Sequence, residues 1–536
     1  MLANFPSTRY NSYIEVMYMG YRGEQVIKGK IYVYDAVAIW DPVKKHSKQK
    51  RTYIGTRDSV TGEFVPNKKY YELYGNPPTV EEQFPSATKS VNFGSIYFLE
   101  RIARSIGIID ILKSVFPSSW QEILALAWYT LSEQGPLYLC EQWSEEAALP
   151  DGIKVSSQRI SDLLKKLDVN SRMSFYKQWA SLRMEKEYLA IDITSISSYS
   201  ELIQYVEPGY NRDGESLPQI NLAMLFGETS RLPVFCRIYP GSIKDVTTLA
   251  GMVQFMDELK LCRMHYVMDK GFYSEKGIGS LLKQRIKFVV GVPFTSAIAK
   301  NAVREFKDDI TNPSNAIEVN GQLLYAKTKM VKMNERRAYI HVYFDEKRHT
   351  TERTVFMQKL IKLEKELRNG EIDKDSKEVK KYFTVRNSKN GLHIHRNEEV
   401  IREKTELSGF FVILTNDSKD AEYNLDIYRT KDVVEKSFDN LKNDLDLERL
   451  NVQSDLAMEG RIFIGFIGLI FASYIRGVMK QKGLYGKYTF TSLLLELKKL
   501  KRIHFSNGKK LLTEFTRKQK EIYKEFDMEL PNSSSI

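Results

Sequence analysis

Residues 187–197 read EYLAIDITSIS, an apolar run with a single acid, Asp192, near its middle. Its β-branched content predicts a buried strand. A carboxylate inside such a strand is costly unless it is paired or bound to a cation. The pattern continues outward. LPQINLAMLF (217–226) predicts a second strand, GETSRLP a turn, and VFCRIYPG (234–241) a third strand. KDVTTLAGMVQFMDELK (244–260) has helical spacing, and MHYVMDKGFY (264–273) is a fourth strand running into a loop. SEKGIGSLLKQR (274–285) predicts a helix and KFVVGV (287–292) a fifth strand.

Three strands in sequence followed by helix–strand–helix–strand form a β-meander joined to a parallel crossover unit. That is the order an RNase H-like α/β sheet requires. In it the first and fourth strands lie side by side. Asp192 would then face Asp269, which ends the fourth strand where open α/β sheets place ligands. Two neighbouring carboxylates destabilise each other unless divalent cations bridge them. A third acid, Glu435, lies in IYRTKDVVEKSFDNLKNDL (427–445), which reads as one helix. Along it Tyr428, Lys431, Glu435 and Lys442 fall within roughly a 60° arc. One face then carries a phenol, an acid to complete a metal shell and two cations to hold a phosphate.

The rest of the chain frames this core. Residues 1–85 alternate short β-type runs with turns, and Lys44–Tyr53 carries five Lys/Arg and no acid, as a solvated loop or a phosphate-gripping arm. Residues 86–180 turn helical, with IYFLERIARSIGIIDILKSVF, then WQEILALAWYTL and SSQRISDLLKKLD, both read as serine-capped, as expected of a helical DNA-binding region. The core spans 181–292 and 409–460, interrupted at 293–408 by an insertion mixing strands with the charged helix TERTVFMQKLIKLEKELRNG. Residues 461–536 form a helical, basic C-terminal region, with nine Lys/Arg and only Glu514 as acid between Lys498 and Lys520.

Composition narrows the function. The 536 residues include 80 Lys+Arg and 68 Asp+Glu, a formal charge of +12, which favours a polyanionic partner. Three scattered cysteines, Cys140, Cys236 and Cys262, make neither a disulfide framework nor a cysteine-rich zinc site. His393 and His395 share one strand face without an evident third ligand, which fits a polar surface strand. No signal peptide is visible, and the longest uncharged run, Ile462–Ile475, has 14 residues against the ~20 of a spanning helix. The expectation is a soluble, reduced, cytoplasmic protein without a membrane partner, associated with the nucleoid when on DNA.

LAIDITSISS, PQINLAMLF with PVFCRIYPGSIKDVTTL, YVMDKGFYS and Tyr-x2-Lys-x3-Glu-x6-Lys resemble the DDE transposases of bacterial insertion sequences, in the IS-four superfamily. That group carries a Tyr-Arg-Glu-Lys signature around its last catalytic acid. Tyr428, Glu435 and Lys442 match it. Lys431 stands where the signature has Arg, keeping the charge but losing the bidentate fork. Lys270 likewise follows Asp269 where Arg is common, and Asp245 fits a further recurrent, structural element. The resemblance implies an RNase H-like core with a β-rich insertion and an N-terminal DNA-binding part. It also implies Mg²⁺ or Mn²⁺, two ions held by Asp192, Asp269 and Glu435, with Asp192 bridging both. Tyr428, Lys431, Lys442 and Lys270 would contact DNA. The expected reaction is cleavage at transposon ends and strand transfer into target DNA, in a homodimer that pairs two ends. The alternative is a transposase descendant that binds DNA and has lost the chemistry.

Overall fold

The apolar runs that predict the core strands are realised in a single large sheet, which buries them on both faces. In the computed structural model the described residues are 20–41, 43–75, 86–150, 153, 155–182, 188–259, 264–388, 391–443, 445 and 447–532. The chain divides into two compact units, residues 1–87 with 505–507, and 88–504 with 508–536.

The first unit is an antiparallel meander of β1 (Gly20–Ile27), β2 (Lys30–Asp41), β3 (His46–Arg57) and β4 (Phe64–Pro66), followed by α1 (Lys68–Tyr74). The side chain of Asn67 caps α1 by accepting from the Tyr70 amide. The basic stretch 44–53 is not the loop the sequence suggested. From His46 onward it is strand, because Lys48 and Lys50 alternate with Ser47 and Gln49 at a period of two.

The second unit holds most of β5 (Ala87–Asn92) and then six helices: α2 (Gly94–Ser105), α3 (Ile108–Val115), α4 (Trp120–Glu133), α5 (Cys140–Glu146), α6 (Ser157–Lys166) and α7 (Val169–Leu182). Gly107, at φ 76°, breaks the run 96–116 into two helices. Ser119 and Ser156 take the N-cap positions of α4 and α6, but neither side chain makes the capping hydrogen bond.

Five strands follow, interleaved with α8 (Asp245–Glu258) and α9 (Glu275–Lys283). They are β6 (Tyr188–Ser197), β7 (Gln219–Gly227), β8 (Pro233–Pro240), β9 (His265–Met268) and β10 (Lys287–Val292). Next come α10 (Ala297–Phe306), β11 (Ala316–Val319), β12 (Gln322–Met333), β13 (Arg336–Phe344), α11 (Glu346–Arg368) and α12 (Lys377–Tyr382). The hairpin β14 (Phe383–Ser388) and β15 (Gly391–Arg396), then α13 (Glu398–Glu406) and β16 (Phe410–Thr415), return the chain to the sheet. His393 and His395 are exposed on β15. Among the described residues neither belongs to a group of three or more metal-ligating side chains.

The sheet has nine strands in the order β11-β12-β13-β16-β10-β9-β6-β7-β8. β6 and β9 are parallel neighbours, as the sequence pattern required, and β9 is parallel to β10. β7 is antiparallel to both β6 and β8. The strands of 293–408 extend this same sheet, since β13 pairs with β16 from Tyr339↔Thr415 to Phe344↔Phe410. Only the α11–α13 and β14–β15 part has its own small core, built on Leu360, Leu363, Val379 and Ile401.

The chain ends with α14 (Ala421–Arg429), α15 (Asp432–Asn443), α16 (Asp455–Gln481), α17 (Phe490–Lys498), the hairpin β17 (Lys501–Phe505) and β18 (Lys510–Leu512), and α18 (Arg517–Glu525). At 27 residues α16 is long and apolar enough, by length and composition alone, to cross a membrane. Its most apolar stretch is nonetheless 78% buried inside the protein. It packs on α4, α6 and β8 and shares one apolar core with the sheet and the helices α2–α7. Fully buried side chains such as Phe463, Phe466 and Ile470 each stabilise this packing by about 1.5–3 kcal/mol. Arg461 is tolerated inside the core because its guanidinium donates to the Leu445 carbonyl at 3.1 Å.

Candidate active site

The register of two strands sets the first pair of acids. Ile191 of β6 pairs with Met268 of β9, and the next residue on each strand is an aspartate, Asp192 and Asp269. Parallel neighbours lie about 4.8 Å apart, so the two acids leave the sheet at the same level, at the carboxyl end of β9. Asp192 is half-buried, and its Oδ1 accepts from the Ile193 amide at 2.8 Å. The polar second half of β6 is satisfied by the connector to β7. Asn211 donates to Ser197 Oγ at 2.9 Å, and that hydroxyl donates to Glu215 at 2.7 Å. Arg449 grips the same Glu215 from the other side at 2.5 Å.

Asp269 is held by the segment that joins α14 to α15. Tyr428 donates its hydroxyl to Asp269 Oδ1 at 2.9 Å, and the Lys431 ammonium reaches the same oxygen at 3.1 Å. Burial pushes the Asp269 carboxyl up. The Lys431 charge, the Lys270 amide, and the hydrogen bonds from Lys431 and Tyr428 outweigh it and hold the group below the usual carboxylate range. Lys270 itself is exposed and opens the short turn after Asp269. Gly291 on β10 makes the clamp possible. A Cβ there would lie 2.5 Å from the Tyr428 hydroxyl oxygen and 3.2 Å from the Lys270 nitrogen. A groove of about 1260 Å³ opens beside this cluster, lined by Asp269, Lys270 and Lys431 and, from α11, by Arg348, Val355 and Lys359.

The expected single helix through 427–445 is two helices. Thr430 ends α14, with its hydroxyl and amide both turned back onto the Ile427 carbonyl, and Lys431 sits in the junction. That capping closes the last turn and redirects the chain, so Tyr428, Lys431 and Lys442 do not share one face. Tyr428 and Lys431 converge on Asp269. Lys442 instead pairs with Asp213 of the β6–β7 connector, at 2.6 and 2.7 Å, and is largely buried there. Glu435 lies on α15, which packs against β6 and β7, but its side chain is outside the described residues.

Sequence reading missed the partners of these groups. Asp213, Glu215 and Arg449 carry no periodic signal, because each acts across the fold on a residue far along the chain. Arg212 likewise clamps Asp245, the first residue of α8, which gives that acid a structural partner. Gly291 did carry a signal, since a glycine inside a buried strand often marks a close approach.

Two hard carboxylate donors side by side suit a divalent cation. Asp192 and Asp269 therefore fit such an ion. Among the described residues no group of three or more His, Cys, Asp or Glu is gathered. No curated protein matches the chain. Among solved structures it is similar to the piggyBac transposase in a synaptic complex with hairpin DNA, at 12% identity and a TM-score of 0.34, over 74% of this chain and 70% of that one. The model of the transposase DDE domain matches residues 183–471, a stretch that contains Asp192, Asp269, Tyr428, Lys431, Glu435 and Lys442. Since the match spans more than half of the sequence, the chain belongs to the DDE transposase domain family.

Proposed function

We propose that this transposase cuts DNA at the ends of a mobile element and joins them to target DNA, as the Tyr-Arg-Glu-Lys group of bacterial insertion-sequence enzymes does, on an RNase H-like core formed by β8-β7-β6-β9-β10. The observation that carries the reading is the level placement of Asp192 and Asp269 on adjacent parallel strands, with Tyr428 and Lys431 gathered on Asp269.

Asp192, Asp269 and, from α15, Glu435 are the ligands proposed for Mg²⁺ or Mn²⁺, two ions in all. When bound, such ions lower the pKa of an attacking water or 3′-hydroxyl and stabilise the leaving oxygen. The protein's own groups hold and orient the DNA. Lys270, exposed beside Asp269, places a cation on the phosphate to be cut. Tyr428 and Lys431 fix the Asp269 carboxylate in its ionised form, so that it accepts a cation and not a proton. Lys442, drawn toward Asp213, braces the β6–β7 connector and lies within reach of backbone phosphate once that pair opens. Pairing two ends calls for two copies of the chain.

The test uses the full chain, Mg²⁺ and DNA carrying the element's end. Asp192→Asn, Asp269→Asn and Glu435→Gln should each abolish strand cleavage while retaining DNA binding. Cleavage that persists in any one of them would refute the three-acid site. Binding without cleavage by the unaltered chain would identify a transposase descendant that has lost its chemistry.

A further inference from the structure

We infer that the β2–β3 hairpin of the first unit is a DNA-reading ribbon that enters the major groove of duplex DNA. The inference rests on the proposed function only in taking DNA as the partner.

Among the described residues the hairpin runs beyond the strands that flank it. β2 and β3 pair from Tyr32↔Thr56 to Asp41↔His46, with one bulge between Val33 and Tyr34 and an unbroken register from Tyr34↔Tyr53 to the tip. Among the described residues β1 follows β2 only to Val37, and β4 covers only Gly55–Arg57 of β3. Ala38–Asp41 and His46–Gln49 therefore continue as a two-stranded ribbon beyond their neighbours. The major groove, about 12 Å wide, admits a ribbon of this kind.

The ribbon is built to stay in place. At its tip Asp41 Oδ1 accepts from the amides of Val43 and Lys44, both at 3.1 Å, which uses the one nearby carboxylate to close the turn. At its root Arg22 pairs with Asp35 at 2.8 Å and lies over the rings of Phe64, Tyr70 and Tyr74. Tyr74 also donates to Asp35. Ordering costs are thus met before any ligand arrives.

Its charge is one-sided in sign and spread over both faces. Val43–Arg57 contains six Lys/Arg and no Asp or Glu. Lys48 and Lys50 stand opposite Ile39 and Val37 on one face, and Arg51 projects from the other, over the Tyr34 ring at 4.7 Å. Lys44, Lys45, Lys48 and Lys50 are exposed, with no ion-pair partner among the described residues. Cations on both faces match phosphates on both walls of a groove. Trp40, 55% exposed, and Ser47 opposite it supply apolar and hydrogen-bonding groups at the level of the base edges.

The test compares full-length protein with the triple variant Lys44→Gln/Lys48→Gln/Lys50→Gln. Anisotropy titrations use a labelled 30-base-pair duplex across a salt series. Each phosphate contact contributes about 0.9 to the slope of log K against log salt, so the slope should fall by about 2.7. A second variant, Lys283→Gln/Lys374→Gln/Lys377→Gln, removes equal charge at exposed positions of the second unit and should leave the slope nearly unchanged. Equal loss in both variants would reduce the effect to net charge and overturn the inference. So would equal affinity for single strands, or a ribbon effect seen on phosphatidylserine vesicles and not on duplex. If the native chain cleaves DNA and the ribbon variant keeps its slope, this inference falls alone. If the native chain binds no duplex at all, the proposed function falls with it.

Discussion

The Lys431 ammonium and the Tyr428 hydroxyl share one oxygen, Oδ1 of Asp269, at 3.1 and 2.9 Å. The carboxylate at the end of β9 therefore carries its own resident cation, drawn from a helix junction 162 residues further along the chain. Lys431 keeps Asp269 ionised at pH values where an unaided carboxyl in that half-buried place would take up a proton.

Replacing Lys431 tests that statement through pH. A carboxyl whose pKa is depressed stays charged further into acid, and loss of the depressing charge reverses this. In Lys431→Met the acid limb of the cleavage-rate profile should move to higher pH, whereas Lys431→Arg should leave it near the native position. The measurement is single-turnover cleavage across the carboxylate range, from about pH 3 to about pH 7. An unmoved limb in the Met variant would count against the pairing.

Gly291→Ala addresses the clamp from its opposite wall. The added Cβ would stand 2.5 Å from the Tyr428 hydroxyl oxygen, so the ring must leave or the strand must shift. Overpacking of this kind costs about 1–3 kcal/mol. The variant should lose cleavage as strongly as Tyr428→Phe or more so, with a lowered thermal midpoint that Tyr428→Phe does not share.

A buried histidine gives the fold an acid sensitivity. His341, in β13, has no exposed surface, and burial lowers its pKa to about 4. Between pH 6.5 and 4 the unfolded chain binds a proton there that the native chain does not, so stability falls as pH falls through that window. From pH 7 to 5 the loss should be about 2 kcal/mol. Urea midpoints at those two pH values should differ less in His341→Gln than in the native protein.

Two of the four glycines of α16, Gly460 and Gly477, should respond in opposite ways. A Cβ at Gly460 would come within 2.2 Å of the Leu164 carbonyl oxygen, where α6 crosses α16, whereas nothing lies within 4 Å of one at Gly477. Gly460→Ala should therefore lower the thermal midpoint, at a cost of about 1–3 kcal/mol. Gly477→Ala should raise stability by about 0.5–1 kcal/mol, the usual helical advantage of alanine. Calorimetry of the two variants checks both signs.

The five core strands and the neighbouring aspartates were legible because they depend on short apolar runs bounded by turns and on the handedness of parallel crossovers. Asp192 and Asp269 could be placed side by side from chain order alone. What escaped was geometry decided between distant segments. Periodicity carried Tyr428 through Lys442 as one helix, whereas the Thr430 hydroxyl folds back onto Ile427 and breaks it. Lys442 looked like a free cation because Asp213 lies 229 residues away. That the strands of the insertion extend the core sheet was not legible, because nothing in them announces that β13 will dock on β16. Lys48 and Lys50 read as loop because charge hid their two-residue period.

The break at Thr430 puts Tyr428 and Glu435 on different helices. Tyr428 travels with α14, which rests on β10, while Glu435 travels with α15, which rests on β6 and β7. The grip on Asp269 and the helix that carries Glu435 are thus seated on different strands of one sheet.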